Sequence, residues 1–137
     1  MKGDVLMSII EWDDSLSVNH TEIDNQHKEW IDIYNRMHDS MMSRESSIEQ
    51  TMQILQAMNE YAQNHFSYEE EYMRKINFPD IVAHRRTHKD FESLIYSYNR
   101  DIEAGKIVLN TKIIKLIRNW LLEHITVEDK KYAGFSE

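Results

Sequence analysis

Seven side chains in this sequence combine residue types and spacings that suit metal ligation. His65 and Glu69 are four positions apart, and so are His84 and His88. On a helix such pairs project from one face and can reach a common centre. His27 and His124 supply two further imidazoles, and Asp129 follows His124 by just over one helical turn. The helix carrying His124 should be ending there, and a loosened last turn could swing Asp129 inward. Five imidazoles and two carboxylates are too many for one tetrahedral zinc. They are too rich in nitrogen for magnesium or calcium. Two borderline transition metals fit, and iron with open coordination is the natural candidate. The ferritin-like arrangement, which uses Glu-x-x-His pairs, is excluded because the sequence contains no such pair. With no Cys, thiolate metal sites, disulfides and thiol nucleophiles are excluded as well.

The elements that must position these donors read as four helices. The first begins near Asn19, where Asn19 and Glu22 resemble a capping box. Its seam is Ile23, His27, Trp30, Tyr34, Met37 and Met41, the spacing of one helical face. The second begins near Ser46, with Glu49 three positions on, and stops near Ile76 before Asn77-Phe78-Pro79-Asp80. Leu55, Met58, Ala62, His65, Glu69 and Tyr72 form its face. Pro79 fits the first turn of the third helix. That helix has the seam Ile81, His84, His88, Phe91, Ile95, Tyr98 and Ile102, and ends at Gly105. The fourth runs from Asn110 through Ile113, Ile117, Trp120 and His124 to Val127. Residues 1–18 read as an arm anchored by Trp12, Leu16 and Val18, and residues 19–137 as one all-α domain. Short connections predict an up-down-up-down antiparallel four-helix bundle.

Each helix thus carries an ionisable residue on its apolar face, and a buried, unpaired ionisable group is costly. One such histidine is ordinarily a core residue hydrogen-bonded to a neighbour. Five histidines across four helices need a common cause. In the expected topology the start of the first helix, the end of the second, the start of the third and the end of the fourth share one end of the bundle. At about 1.5 Å per residue, the donors lie within roughly 5–16 Å of that end, in one layer.

Composition agrees. Only 3 Gly and 1 Pro in 137 residues favour long helices over turn-rich sheets. A formal charge of −8 argues against nucleic acid, which is bound largely through Lys and Arg. No apolar run is long enough for a membrane span or a signal peptide, so the expected location is cytoplasmic. His20 and His38 fall off the layer and read as surface or boundary residues. Glu70 and Glu71 point roughly 100° and 200° away from Glu69 around the helix and read as solvated. The 8 Met residues read as flexible core filler. Lys130 and Lys131 suit a helix C-terminus.

The strings Trp12-Asp13-Asp14-Ser15-Leu16-Ser17-Val18, Ile23-Asp24-Asn25-Gln26-His27, His65-Phe66-x-x-Glu69-Glu70-x-x-Met73, His84-x-x-x-His88-x-x-Phe91 and Trp120-Leu121-x-x-His124-Ile125-x-x-x-Asp129-x-x-Tyr132 resemble the bacterial hemerythrins. The likeness runs from Trp12 to Phe135. It departs at Asn19, where the family usually has Gly; Asn tolerates the left-handed backbone that such a turn needs.

The resemblance implies a non-haem di-iron centre, Fe2+ or Fe3+, with an oxo or hydroxo bridge. His84, His88 and His124 would hold one iron, His27 and His65 the other, and Glu69 and Asp129 would bridge them. Family spacing favours Asp129 over Glu128. Counting ligands leaves one position open on the iron held by His27 and His65, where oxygen would bind. Phe66, Trp120, Leu121 and Ile125 match the family's apolar pocket. The implied activity is reversible dioxygen binding for storage, transport or delivery to an oxygen-consuming enzyme, by an oxygen-binding protein and not an enzyme. The alternatives are oxygen sensing, a di-iron peroxidase or oxidase, and nitric oxide scavenging.

Overall fold

Local capping chemistry sets where each helix starts and stops. The computed structural model describes residues 9–43, 45 and 47–135. The helices are α1 (Thr21–Met42), α2 (Ile48–Lys75), α3 (Ile81–Glu103) and α4 (Thr111–Glu123). They form the expected up-down-up-down antiparallel bundle.

Asn19 adopts the left-handed backbone expected of it, with φ 60°. For that reason it is not the cap of α1, because an N-cap needs extended backbone. The cap falls one residue on, at His20, whose Nδ1 accepts from the Ile23 N–H at 3.2 Å. The expected Ser46 start of α2 lies outside the described residues. The capping box there is formed by Ser47 and Gln50, which exchange bonds of 3.1 and 2.7 Å. Pro79 sits in the turn before α3, not in its first helical turn.

Two helices end in the same way. Asn77 (φ 57°) and Gly105 (φ 76°) turn left-handed after α2 and α3. In each case the next residue donates back into the helix, Phe78 to the Met73 carbonyl and Lys106 to the Asp101 carbonyl, both at 2.9 Å. The fourth helix does not stop at Val127 as expected. It passes through a π-helical turn, His124–Glu128, and continues as α5, Asp129–Ala133.

The core divides in two. The larger apolar cluster fills the body of the bundle, from Trp30, Phe66, Leu121 and Ile125 to Ile113 and Leu55. A smaller one, Val18, Ile23, Met73, Phe78 and Tyr132, closes one end. Each fully buried aliphatic or Phe side chain contributes about 1.5–3 kcal/mol. The polar residues of the four seams fall between these two clusters.

The arm is tied down by polar contacts. Asn35 exchanges hydrogen bonds with the Ile10 backbone at 2.9 and 2.8 Å. Asp24 accepts from the Val18 N–H at 2.9 Å and the Ser17 hydroxyl at 2.6 Å. Lys130 donates to the Ser17 carbonyl at 2.6 Å. Among the described residues, no helix is long and apolar enough to cross a membrane.

Candidate metal centre

All seven expected donors lie in one layer, and each is buried to 2% exposure or less. Each helix delivers its share through its own periodicity. His27 lies on α1 between Ile23 of the end cluster and Trp30 of the main one. His65 and Glu69 come from one face of α2, His84 and His88 from one face of α3. The π turn explains Asp129. Widening the helix to an i→i+5 repeat brings a residue five positions after His124 back to the same face, where a regular helix would carry it about 140° away.

The donors form two groups that share both carboxylates. One is Glu69, His84, His88, His124 and Asp129; the other is His27, His65, Glu69 and Asp129. Within each group one ligand atom per residue lies within 4.8 Å of all the others. The carboxylate oxygens are divided between them. Asp129 Oδ1 is 2.9 Å from His84 Nε2 and 3.1 Å from His124 Nε2, while Oδ2 is 3.0 Å from His27 Nε2. Glu69 Oε1 is 2.9 Å from His88 Nε2, while Oε2 is 3.3 Å from His65 Nε2 and 3.4 Å from His27 Nε2. A metal with ligands at about 2.1 Å in octahedral array has neighbouring donors about 3 Å apart. The layer has that spacing.

These atoms converge on common points, and apart from His88 Nε2 with Glu69 Oε1 most of them do not pair with one another. Both nitrogens of His27 and His84, His65 Nε2 and both Asp129 oxygens make no well-directed hydrogen bond, although they are fully buried. The Nε2 atoms of His88 and His124 face each other at 3.2 Å. Buried polar groups left this way are destabilising unless a cation sits among them. The residues therefore fit a pair of metal ions with mixed imidazole and carboxylate ligation.

Electrostatics bear this out. Burial opposes charge on every group in the layer. Asp129 and Glu69 nevertheless raise His27 to about 9 and His124 to about 10, and they raise His84 as well. For His65 burial prevails and its pKa falls. Both carboxylates stay ionised despite burial; the surrounding imidazoles hold them below their ordinary range.

Three partners of the donors could not be identified from sequence. Gln26 Oε1 accepts from His65 Nδ1 at 2.7 Å, and Glu70 Oε2 accepts from His88 Nδ1 at 2.8 Å. These acceptors fix the tautomers and leave each Nε2 lone pair aimed at the layer. Glu70 is therefore not a solvated bystander. It is half-buried, and Arg85 pairs with its other oxygen at 3.4 Å. The Tyr132 hydroxyl donates to Glu69 Oε2 at 2.7 Å. Glu128 pairs with Lys131 and stays out of both groups. His38 contacts Asp39, away from the layer.

Of the four expected pocket residues, Phe66, Leu121 and Ile125 are buried and Trp120 is half-buried. Phe66 stacks on His88 (3.9 Å between centroids, 7° between planes) and Trp120 on His124 (4.7 Å, 11°). Trp30, not expected in this role, packs edge-on against Phe66 and Phe91 and tilted beside His65.

Comparison with known proteins gives a consistent likeness. Residues 19–135 match the hemerythrin HHE cation-binding domain. A bacteriohemerythrin of Stenotrophomonas maltophilia is 28% identical over 127 residues, 93% of this chain and 81% of that protein. A hemerythrin-like protein of Naegleria gruberi is 30% identical over 127 residues, 93% of each. A crystal structure of wild-type hemerythrin superposes with a TM-score of 0.83 at 27% identity, covering 90% of this chain and 95% of that one.

Proposed function

The chain belongs to the hemerythrin HHE cation-binding family, and from that premise we propose that it binds dioxygen reversibly at a non-haem di-iron centre. The observation that carries the reading is the inequality of the two donor groups. Five residues surround one point and four the other, with Glu69 and Asp129 common to both. In this reading His84, His88 and His124 would hold one iron and His27 and His65 the second, with Glu69 and Asp129 serving both. The smaller donor group would leave room for a small ligand, and the iron pair would supply the two electrons, one from each ion, that make oxygen binding reversible.

The protein's part is to hold and shield. Glu69 and Asp129 offset the metal charge in a layer that solvent does not reach. Gln26 and Glu70 orient His65 and His88. Phe66, Leu121 and Ile125 keep water and protons away, which favours release of oxygen over irreversible oxidation. The Tyr132 hydroxyl donates to Glu69 at 2.7 Å, so its proton is committed to that carboxylate. That supports a binding protein over an oxidase or peroxidase.

The test is anaerobic loading with ferrous iron, exposure to oxygen, then its removal. A visible absorption band that appears with oxygen and vanishes without it is the expected result. Prompt conversion to a stable ferric form that consumes reductant would mark an enzyme. A chain that retains well under two irons would end the proposal. Storage and delivery to an oxygen-consuming enzyme belong to the same reading.

A further inference from the structure

Between α3 and α4 lies a groove of about 340 Å³, partly open to solvent. Trp120 and His124 form its floor, and Thr87 and Tyr98 stand on the α3 side. Asp90, Glu123 and Glu128 supply carboxylates to its lining, and no Lys or Arg lines it. Lys131 pairs with Glu128 at 3.2 Å, which leaves Asp90 and Glu123 as the unbalanced charges of the rim. Both are exposed.

The floor connects this surface to the candidate centre. His124 is one of the seven donors, with Nε2 3.1 Å from Asp129 Oδ1. Its imidazole lies nearly parallel to the Trp120 indole, at 4.7 Å and 11°. The floor is also closed, because His124 is 2% exposed and its Nε2 faces inward. A molecule in the groove touches Trp120 and the outer edge of His124 but not the atoms between the ligands. An ion would have to displace a ligand to pass. An electron needs only the stacked rings.

We propose that this groove is a docking site for a positively charged one-electron donor, and that the Trp120–His124 stack is the port through which an oxidised centre is reduced. The inference rests on the di-iron reading. An iron pair that has lost its electrons must regain one each before it can bind oxygen again. Each encounter moves one electron from donor to iron: one Fe3+ becomes Fe2+, the donor is oxidised by one unit, and no covalent bond changes in the protein. The rim carboxylates select the donor's charge, since a cleft lined by one sign concentrates the opposite sign and repels its own. Tyr98 and Trp120 add aromatic faces that favour a cation.

The test uses the iron-loaded chain, oxidised and desalted, with loss of the ferric absorption followed by rapid mixing. Hexaammineruthenium(II) is the cationic donor and dithionite the anionic one. In the double variant Asp90→Asn/Glu123→Gln, reduction by the cation is expected to slow about tenfold at low salt. Reduction by dithionite should hold steady or quicken, and added salt should erase the difference. Glu123→Lys should exaggerate the pattern. Trp120→Leu should slow both donors while iron content is kept. Equal effects of the charge variants on the two donors, or none, would overturn the proposal. So would slower ferrous uptake with unchanged reduction, which would make the groove a metal path. Iron content and the oxygen-dependent band of the unaltered chain are measured separately, so failure of the di-iron reading appears there and not in the ratio of rates.

Discussion

The Tyr132 hydroxyl donates to Glu69 Oε2 at 2.7 Å across 63 positions of sequence. Among the described residues it is the one hydroxyl that donates to that carboxylate, whose other close contacts are imidazoles. Oε2 is the oxygen on the four-donor side. Tyr132→Phe keeps the ring among Tyr72, Phe78 and Met73 but removes the bond. A hydrogen bond to a charged group contributes about 1.5–3 kcal/mol, so the metal-free melting temperature should fall by several degrees. The iron shared by His27 and His65 should also leave faster under a chelator than the other iron. Loss of both irons at wild-type rates would show that Tyr132 only fills space.

Glu70 gives the second prediction. Its carboxylate holds His88 through Nδ1, and its other oxygen meets Arg85 near the surface. Burial, the largest single effect, works against its charge, but the His88 hydrogen bond together with the positive groups around it outweighs burial and lowers its pKa. Groups of this kind typically contribute ten- to a hundredfold to metal affinity. Glu70→Leu should therefore weaken iron binding by about that factor, and Glu70→Gln, which can still accept the bond, by much less. Competition with a coloured chelator measures both. Equal losses for the two variants would mean that charge, and not orientation, is what matters.

What the sequence made legible was local. The four-residue steps in α2 and α3 place His65 with Glu69 and His84 with His88 whatever the rest of the chain does. The single-layer expectation needed only helix lengths and antiparallel order. Glu70 was misjudged because an angle around an isolated helix ignores its neighbour: α3 packs close enough to bring His88 Nδ1 against that flank. The role of Tyr132 could not be read because the fourth helix was expected to stop at Val127. It lies in the continuation, beyond the π turn that also turns Asp129 inward. At the start of α1, the left-handed conformation suited to Asn19 is what disqualifies it as the cap and passes that role to His20.

Ile125 has no exposed surface and belongs to the main apolar cluster, one residue from His124. Truncating a buried Ile to Ala destabilises a core by about 2–5 kcal/mol, depending on how far the cavity collapses. Ile125→Ala should lower the melting temperature by that measure. It should also hasten irreversible oxidation of the iron-loaded protein, because the space left admits water beside the donors. Stopped oxygen cycling with spectra taken between cycles reads the second effect. Unchanged oxidation at reduced stability would remove Ile125 from the shielding role.

The stability of the metal-free chain should depend on pH where that of the loaded one does not. Burial lowers the histidine pKa values, but Asp129 and Glu69 raise His27 to about 9, His124 to about 10 and His84 above its ordinary value of 6.5. A histidine raised in the folded state adds stability that is complete below its unfolded pKa and is lost as pH rises through the folded one. These three should therefore make the metal-free protein progressively less stable from about pH 6.5 to 10. His65, lowered by burial, has the opposite sign: its protonation below about 6.5 disfavours the fold, and above that it is neutral in both states and leaves the loss unchanged. The carboxylates, held below their ordinary range, contribute throughout this interval and are lost only in acid. Metal ligation needs neutral imidazoles, so iron binding near pH 7 should release protons and tighten as pH rises. Calorimetry in two buffers of different ionisation enthalpy would count those protons. Melting curves between pH 7 and 10 should show the metal-free form falling and the loaded form nearly level. A metal-free form that gains stability across that range would mean the buried carboxylates are not charged as described.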